Sequence, residues 1–136
     1  MKKILITGAS GFIGRSLCKT LSSSGRFFLG AVRSLESISI DTRANYVSIG
    51  DISNTTNWKN ILPNIDCIIH CAGRAHVMNE TKKDKLEIYR SINVQGTKLL
   101  AQEAAKAGVK RLIFLSSIKV MGESTENKNF TNNDLP

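Results

Sequence analysis

Residues 3–14 read Lys-Ile-Leu-Ile-Thr-Gly-Ala-Ser-Gly-Phe-Ile-Gly, an apolar run followed at once by Gly8, Gly11 and Gly14. Ile4, Leu5 and Ile6 show no polar alternation, the pattern of a strand buried on both faces of a parallel sheet. The three glycines have separate tasks. Gly8 permits a tight turn off the strand, Gly11 leaves the backbone open to a pyrophosphate, and Gly14 lets the next helix lie close to the sheet. With Ser10, Phe12 and Ile13 they would offer free N–H groups at a helix N-terminus, where phosphates bind. The competing reading is an ordinary glycine-rich turn. Ile13, Leu17 and Leu21, which share one helical face, argue for strand, phosphate loop and helix.

Further strands are predicted at Phe27–Val32, Tyr46–Ile49, Ile65–His70 and Arg111–Ser116. Helices are predicted over Phe12–Ser24, briefly around Thr55–Leu62, and over a long stretch from about Asp84 to Ala107, which Gly108 stops. Within that stretch Asn93-Val94-Gln95-Gly96-Thr97 breaks the helical spacing of Leu86, Ile92, Leu99, Leu100 and Ala104. A Gly and an Asn in mid-helix weaken it and call for a packing or functional reason. Residues 34–44 predict no element. Five strands with helices between them predict an α/β fold: a Rossmann-like, doubly wound parallel sheet of order 3-2-1-4-5 in three α/β/α layers. The cofactor would lie at the C-terminal edge of the strands.

Other candidate residues fall at that edge. About 20 positions beyond the glycines of such a fold, an acid takes the ribose hydroxyls of NAD, whereas an Arg accepts the 2′-phosphate of NADP. Here Arg33 and Ser34 follow the second strand without an acid, so NADP is expected to bind better than NAD. Arg33 could equally just end the strand in water. Cys71-Ala72-Gly73, after the fourth strand, is small enough for backbone to face a ligand.

Composition narrows the class. The chain has 136 residues, of which 41% are hydrophobic and only 2 are proline, values expected of one folded domain with a proper core. No apolar run approaches a membrane span, and the sequence goes straight into strand, so neither membrane insertion nor a signal peptide is expected. Cys18, Cys67 and Cys71 lie in apolar segments at an odd count, which favours reduced core thiols in the cytoplasm. A metal site from Cys67, His70, Cys71 and His76 is disfavoured, because alternating strand faces would scatter the ligands. The net charge of +8 is spread along the chain with no interleaved aromatics, the mark of a solvated basic surface rather than a nucleic-acid site.

The segment Thr7-Gly8-Ala9-Ser10-Gly11-Phe12-Ile13-Gly14 resembles the short-chain dehydrogenase/reductase superfamily, in particular its extended branch, the NAD-dependent epimerase/dehydratase family of nucleotide-sugar enzymes. Asn93-Val94-Gln95-Gly96-Thr97 is similar to an Asn-Val-x-Gly-Thr hallmark of that branch. Ser116-Ser117-Ile118-Lys119-Val120-Met121-Gly122 is similar to its Ser-Ser-x-x-Val-Tyr-Gly, with Met121 in place of the Tyr. The resemblance implies adenine contacts from Asp51 and Ile52, although Asp51 could instead cap the following turn. It also implies ribose and pyrophosphate neighbours at Cys71, Ala72 and Gly73, a shaping role for Asn93 beside the site, a cofactor neighbour at Ser116, and a catalytic hydroxyl at Ser117. Arg74 and His76 would stand on the substrate side.

The family's Tyr-x-x-x-Lys pair is absent: Tyr46 precedes Gly50 and Tyr89 precedes Asn93. The chain is therefore expected to be the NAD(P)-binding domain of a longer protein, ending before that segment and the substrate region. By resemblance the parent is an NAD(P)-dependent nucleotide-sugar epimerase or reductase, with a UDP-sugar substrate and a homodimer formed through the long helix. The alternative is a non-catalytic dinucleotide-binding sensor or scaffold of the same fold.

Overall fold

The computed structural model describes residues 3–39, 45–74, 82–122, 124 and 129–134. Five parallel strands, β1 (Ile4–Thr7), β2 (Phe28–Val32), β3 (Tyr46–Ser48), β4 (Cys67–His70) and β5 (Arg111–Phe114), form one sheet of order β3-β2-β1-β4-β5. Ile4 pairs with Phe28 on one side and Cys67 on the other, which places β1 at the centre.

The unbroken apolar run of β1 sends side chains to both faces. Leu5 packs with Ala31, Ile68, Trp58, Leu62, Leu100 and Ala104 in one buried cluster. Ile6 packs with Ala9, Cys18, Leu21, Phe28 and Val32 in the other. Helix α1 (Phe12–Ser23) covers the second face, and helix α3 (Thr97–Lys106) covers the first through Leu100 and Ala104. Two faces, each closed by helix, give the three layers. At the N-terminal edge Asp66 accepts from the Lys3 N–H at 3.0 Å and pairs with Lys110 at 3.3 Å, tying β1, β4 and β5 together away from the glycine loop. The Lys3 N–H and then Lys110 hold its carboxyl below the usual range.

Several boundaries differ from expectation. β2 and β4 start one and two residues later than expected, and β3 and β5 stop one and two residues sooner. Residues 55–62 form turns rather than a helix: Ser53 and Thr56 exchange hydrogen bonds, and Trp58 and Leu62 fill the core from the turns. Leu35–Ser37, where no element was expected, is a short 3-10 turn. The long helix exists, but in three parts: α2 (Lys82–Tyr89), a π-wound segment (Arg90–Gly96) and α3. The pattern break at Asn93–Thr97 is this change of winding, a feature frequent at functional sites.

Candidate functional site

At the C-terminal edge an open cleft of about 440 Å³ lies over β1 and β2 and beside β4. It is lined by Gly8, Ser10 and Gly11 from the glycine loop, Ala31, Val32 and Arg33 from the end of β2, Ile49–Ile52 from the turn after β3, Cys71–Arg74 from the turn after β4, and Ile92 from the π segment. The cleft sits where β1's neighbours lead away to opposite sides, the place at which open α/β sheets bind ligands.

The loop's geometry follows from its glycines. Gly8 has φ +64°, and a Cβ there would stand 2.8 Å from the Ala72 backbone, so β1's exit and β4's exit touch. A Cβ on Gly14 would collide with the Gly8 carbonyl, which is how α1 starts so near the sheet. Gly11 is the N-cap of α1, with no side-chain cap and no acid in the first turn. The first-turn N–H groups of a helix lack partners within it, and their dipole favours an anion. Arg15 reaches back to the Ser10 carbonyl at 3.1 Å and adds positive charge to this end. The residues thus fit a diphosphate: an uncapped helix end, two glycines on the lip and no acid in the helix's first turn.

The end of the cleft between β2 and β3 holds a contact between Arg33 and Asp51. Arg33 Nε lies 2.6 Å from Asp51 Oδ1, with both side chains largely exposed. The acid missing after β2 is supplied from beyond β3. Asp51 does not cap the following turn; Ser53 and Thr56 do that. Ser34 Oγ accepts from the Glu36 N–H at 3.2 Å and so caps the 3-10 turn. Ile52 is buried, and a Cβ on Gly96 would come within 2.6 Å of its Cγ2. This is the packing reason for a glycine in mid-helix: only there can the π segment back onto Ile52.

Asn93 does not line the cleft. Its amide instead pairs with both backbone groups of Arg74, Oδ1 accepting from the N–H at 2.7 Å and Nδ2 donating to the carbonyl at 2.9 Å. It does for that loop what a neighbouring strand would do, and thereby holds Gly73 at the cleft wall. Burial raises the Cys71 thiol, so the cleft-lining sulfur stays protonated and is no nucleophile at neutral pH.

Other expected residues lie off the cleft. Phe12 and Ile13 are exposed, and with Gly14 they can contribute backbone only. Ser116 and Ser117 follow β5 on the same sheet edge, outside the cleft lining. Ser117 Oγ accepts from the Lys119 N–H at 3.2 Å, capping the 3-10 turn Ile118–Met121. That bond uses a lone pair and leaves the hydroxyl proton for another acceptor. His76 is outside the described residues. Gly50, Ile49 and Ile92 line the cleft without having been singled out. The π segment turns Ile92 into the cleft, and no spacing rule for an α-helix would have found it.

A family profile described as the NAD dependent epimerase/dehydratase family matches residues 4–136. The chain belongs to that family. It is 42% identical over 125 residues to UDP-glucose 4-epimerase of Vibrio cholerae, covering 91% of this chain and 37% of that protein. It is also 32% identical over 128 residues to 3-beta-hydroxysteroid dehydrogenase of Mycolicibacterium neoaurum, covering 88% and 33%. Among solved structures, MoeE5 in complex with UDP-glucose and NAD superposes with a TM-score of 0.79 at 31% identity, covering 98% of this chain and 42% of that one. The chain therefore spans little more than a third of the curated relatives it matches, and its sheet order is the Rossmann-like one expected. No helix among the described residues is long and apolar enough to cross a membrane.

Proposed function

We propose that this chain is the dinucleotide-holding part of an NAD(P)-dependent nucleotide-sugar epimerase or reductase, with a UDP-sugar as substrate. The observation that carries the reading is the glycine-lipped, uncapped helix end opening into a cleft whose far wall is Ile52 and the Arg33–Asp51 pair. The 42% identity to a UDP-glucose 4-epimerase supports the substrate class. A nicotinamide group, when bound, supplies the hydride acceptor or donor for a sugar carbon.

The chain's own residues then have distinct tasks. Backbone N–H groups at Phe12 and Ile13 hold the pyrophosphate, with Ser10 as a neighbouring hydroxyl, while Gly11, whose own N–H donates to the Gly8 carbonyl at 2.9 Å, leaves room for it. Asp51 and Ile52 take the adenine, and Cys71, Ala72 and Gly73 flank the ribose and pyrophosphate, with Asn93 keeping that wall in place. Ser116 adjoins the cofactor. Ser117 donates its hydroxyl to the reacting sugar oxygen, favouring the state in which charge develops there. Proton transfer needs a Tyr-x-x-x-Lys pair, in which the Lys charge lowers the Tyr pKa. These 136 residues contain none, so this stretch binds without turnover.

Arg33 supports NADP(H) over NAD(H). Asp51 engages its Nε, leaving the two terminal nitrogens for a 2′-phosphate. Exposed Leu86 and Val94 on the helical rod support a homodimer through it. The steroid-dehydrogenase relative favours one other substrate class, a hydroxysteroid. Incubating the full-length protein with both dinucleotides and a panel of UDP-sugars and 3-hydroxysteroids tests the reading. Turnover of a UDP-sugar, lost in Ser117→Ala, is expected; turnover of steroids alone would replace the substrate class.

A further inference from the structure

His70 closes β4 and is 1% exposed, yet takes no part in the steps above. Its Nδ1 lies 2.6 Å from Thr7 Oγ1 and its Nε2 lies 2.9 Å from Thr97 Oγ1. Thr7 Oγ1 also accepts from the Ala72 N–H at 3.3 Å. A continuous chain of hydrogen bonds therefore runs from the first residue of α3, through a buried ring, to the last residue of β1 and on to a residue of the cleft wall. We propose that His70 is a positioning residue for the bound dinucleotide, setting the place of the Ala72–Gly73 wall relative to the helical rod. This rests on reading the cleft as a dinucleotide site.

Both ring nitrogens are engaged, so His70 has no atom left for a ligand and acts through its neighbours. Imidazole suits the place because it presents two polar atoms on opposite sides of one small flat ring. An apolar side chain would fill the space but leave the half-buried Thr97 hydroxyl without its ring partner and the buried Thr7 hydroxyl with the Ala72 N–H alone, and the asymmetry between made and unmade bonds is greatest in such an interior. Each end of the chain adjoins a fixed point of the cleft. Thr97 directly follows Gly96, which backs onto Ile52 at the adenine end, and Thr7 directly precedes Gly8, which abuts Ala72 at the pyrophosphate end. Asn93 ties the same rod to Arg74 independently. The rod thus holds the wall at two places, and His70 is the one that passes beneath the phosphate loop.

The test is calorimetric titration of NAD and NADP into the chain and its variants Thr7→Val, Thr97→Val and the double variant. Valine keeps the shape; Thr97→Val removes the bond to His70, and Thr7→Val removes the bond to His70 together with the one from the Ala72 N–H. Urea unfolding followed at Trp58 establishes that each variant is folded. Loss of one hydrogen bond corresponds to roughly a two- to tenfold weakening. The two threonines do not touch, so an independent structural role predicts multiplied effects on affinity. A relay through His70 predicts that the double variant binds about as weakly as the worse single one, and that His70→Gln, which keeps one link at most, matches it. Wild-type binding that the variants share unchanged, or effects that multiply, would overturn this inference alone. A folded wild type that binds neither dinucleotide would overturn the cleft reading and this inference with it.

Discussion

Gly96 backs onto Ile52 so closely that a methyl group on it would stand 2.6 Å from Ile52 Cγ2. Neither partner can yield easily, since Ile52 is buried and Gly96 lies in the π-wound turn that carries Asn93 and Ile92. Gly96→Ala is expected to destabilise the chain by about 1–3 kcal/mol, the usual cost of overpacking. Urea denaturation followed at Trp58 measures it. An unchanged midpoint would show that the π segment can back away without loss.

Gly14→Ala should be worse than its helix propensity suggests. Alanine is the better helix former by about 1 kcal/mol, but its Cβ would collide with the Gly8 carbonyl, a backbone atom of the phosphate loop. Steric cost wins. Net destabilisation with weakened dinucleotide binding is expected, and a stabilised variant that still binds would remove the loop–helix contact from the account.

His70 makes stability depend on pH. Burial pushes its pKa down to about 4 from an ordinary value of 6.5, so between those values the unfolded chain binds a proton that the folded chain does not. Stability contributed by the neutral ring is complete above about pH 6.5 and is lost as pH falls toward 4, with a slope approaching about 1.4 kcal/mol per pH unit. Urea midpoints from pH 7 to pH 4 should fall in wild type and fall less steeply in His70→Gln. Parallel curves for the two proteins would contradict the burial argument.

On the proposed function, Arg33 and Asp51 are expected to set the dinucleotide preference together. Charge-assisted bonds to phosphate are worth about 1.5–3 kcal/mol, and exposure of the guanidinium places Arg33 at the lower end, near tenfold. Arg33→Asp is expected to weaken NADP by that factor and change NAD little, while Asp51→Asn, by releasing Nε, strengthens NADP. Equal NADP affinity in wild type and Arg33→Asp would remove Arg33 from the site.

The sheet order and the glycine turn between β1 and α1 were legible because they rest on local patterns: apolar runs for strands buried on both faces, and glycines at a strand–helix junction. Asn93 and Gly96 stood out because they break a helical pattern, but their partners, Arg74 and Ile52, lie on distant turns that no spacing reveals. The Arg33–Asp51 pair was legible as two residues and not as a contact, since it forms between the exits of β2 and β3. His70 read as the end of a buried strand and as a disfavoured metal ligand. Its meaning depends on two threonines, one 63 positions before it and one 27 positions after. The turns at 55–62 were mistaken for helix because Trp58 and Leu62 fall at helical spacing while filling the core from a loop.

The central claim is that the cleft above Gly8 and Gly11 holds a dinucleotide through its pyrophosphate. Calorimetric titration of NAD and NADP into the folded chain, wild type against Gly11→Val, tests it most directly, because a branched side chain at Gly11 would occupy the space left for the phosphates. Binding at one site per chain, weakened at least about tenfold in the variant, is predicted. No binding of either dinucleotide by folded wild type, or equal binding by both proteins, would contradict it.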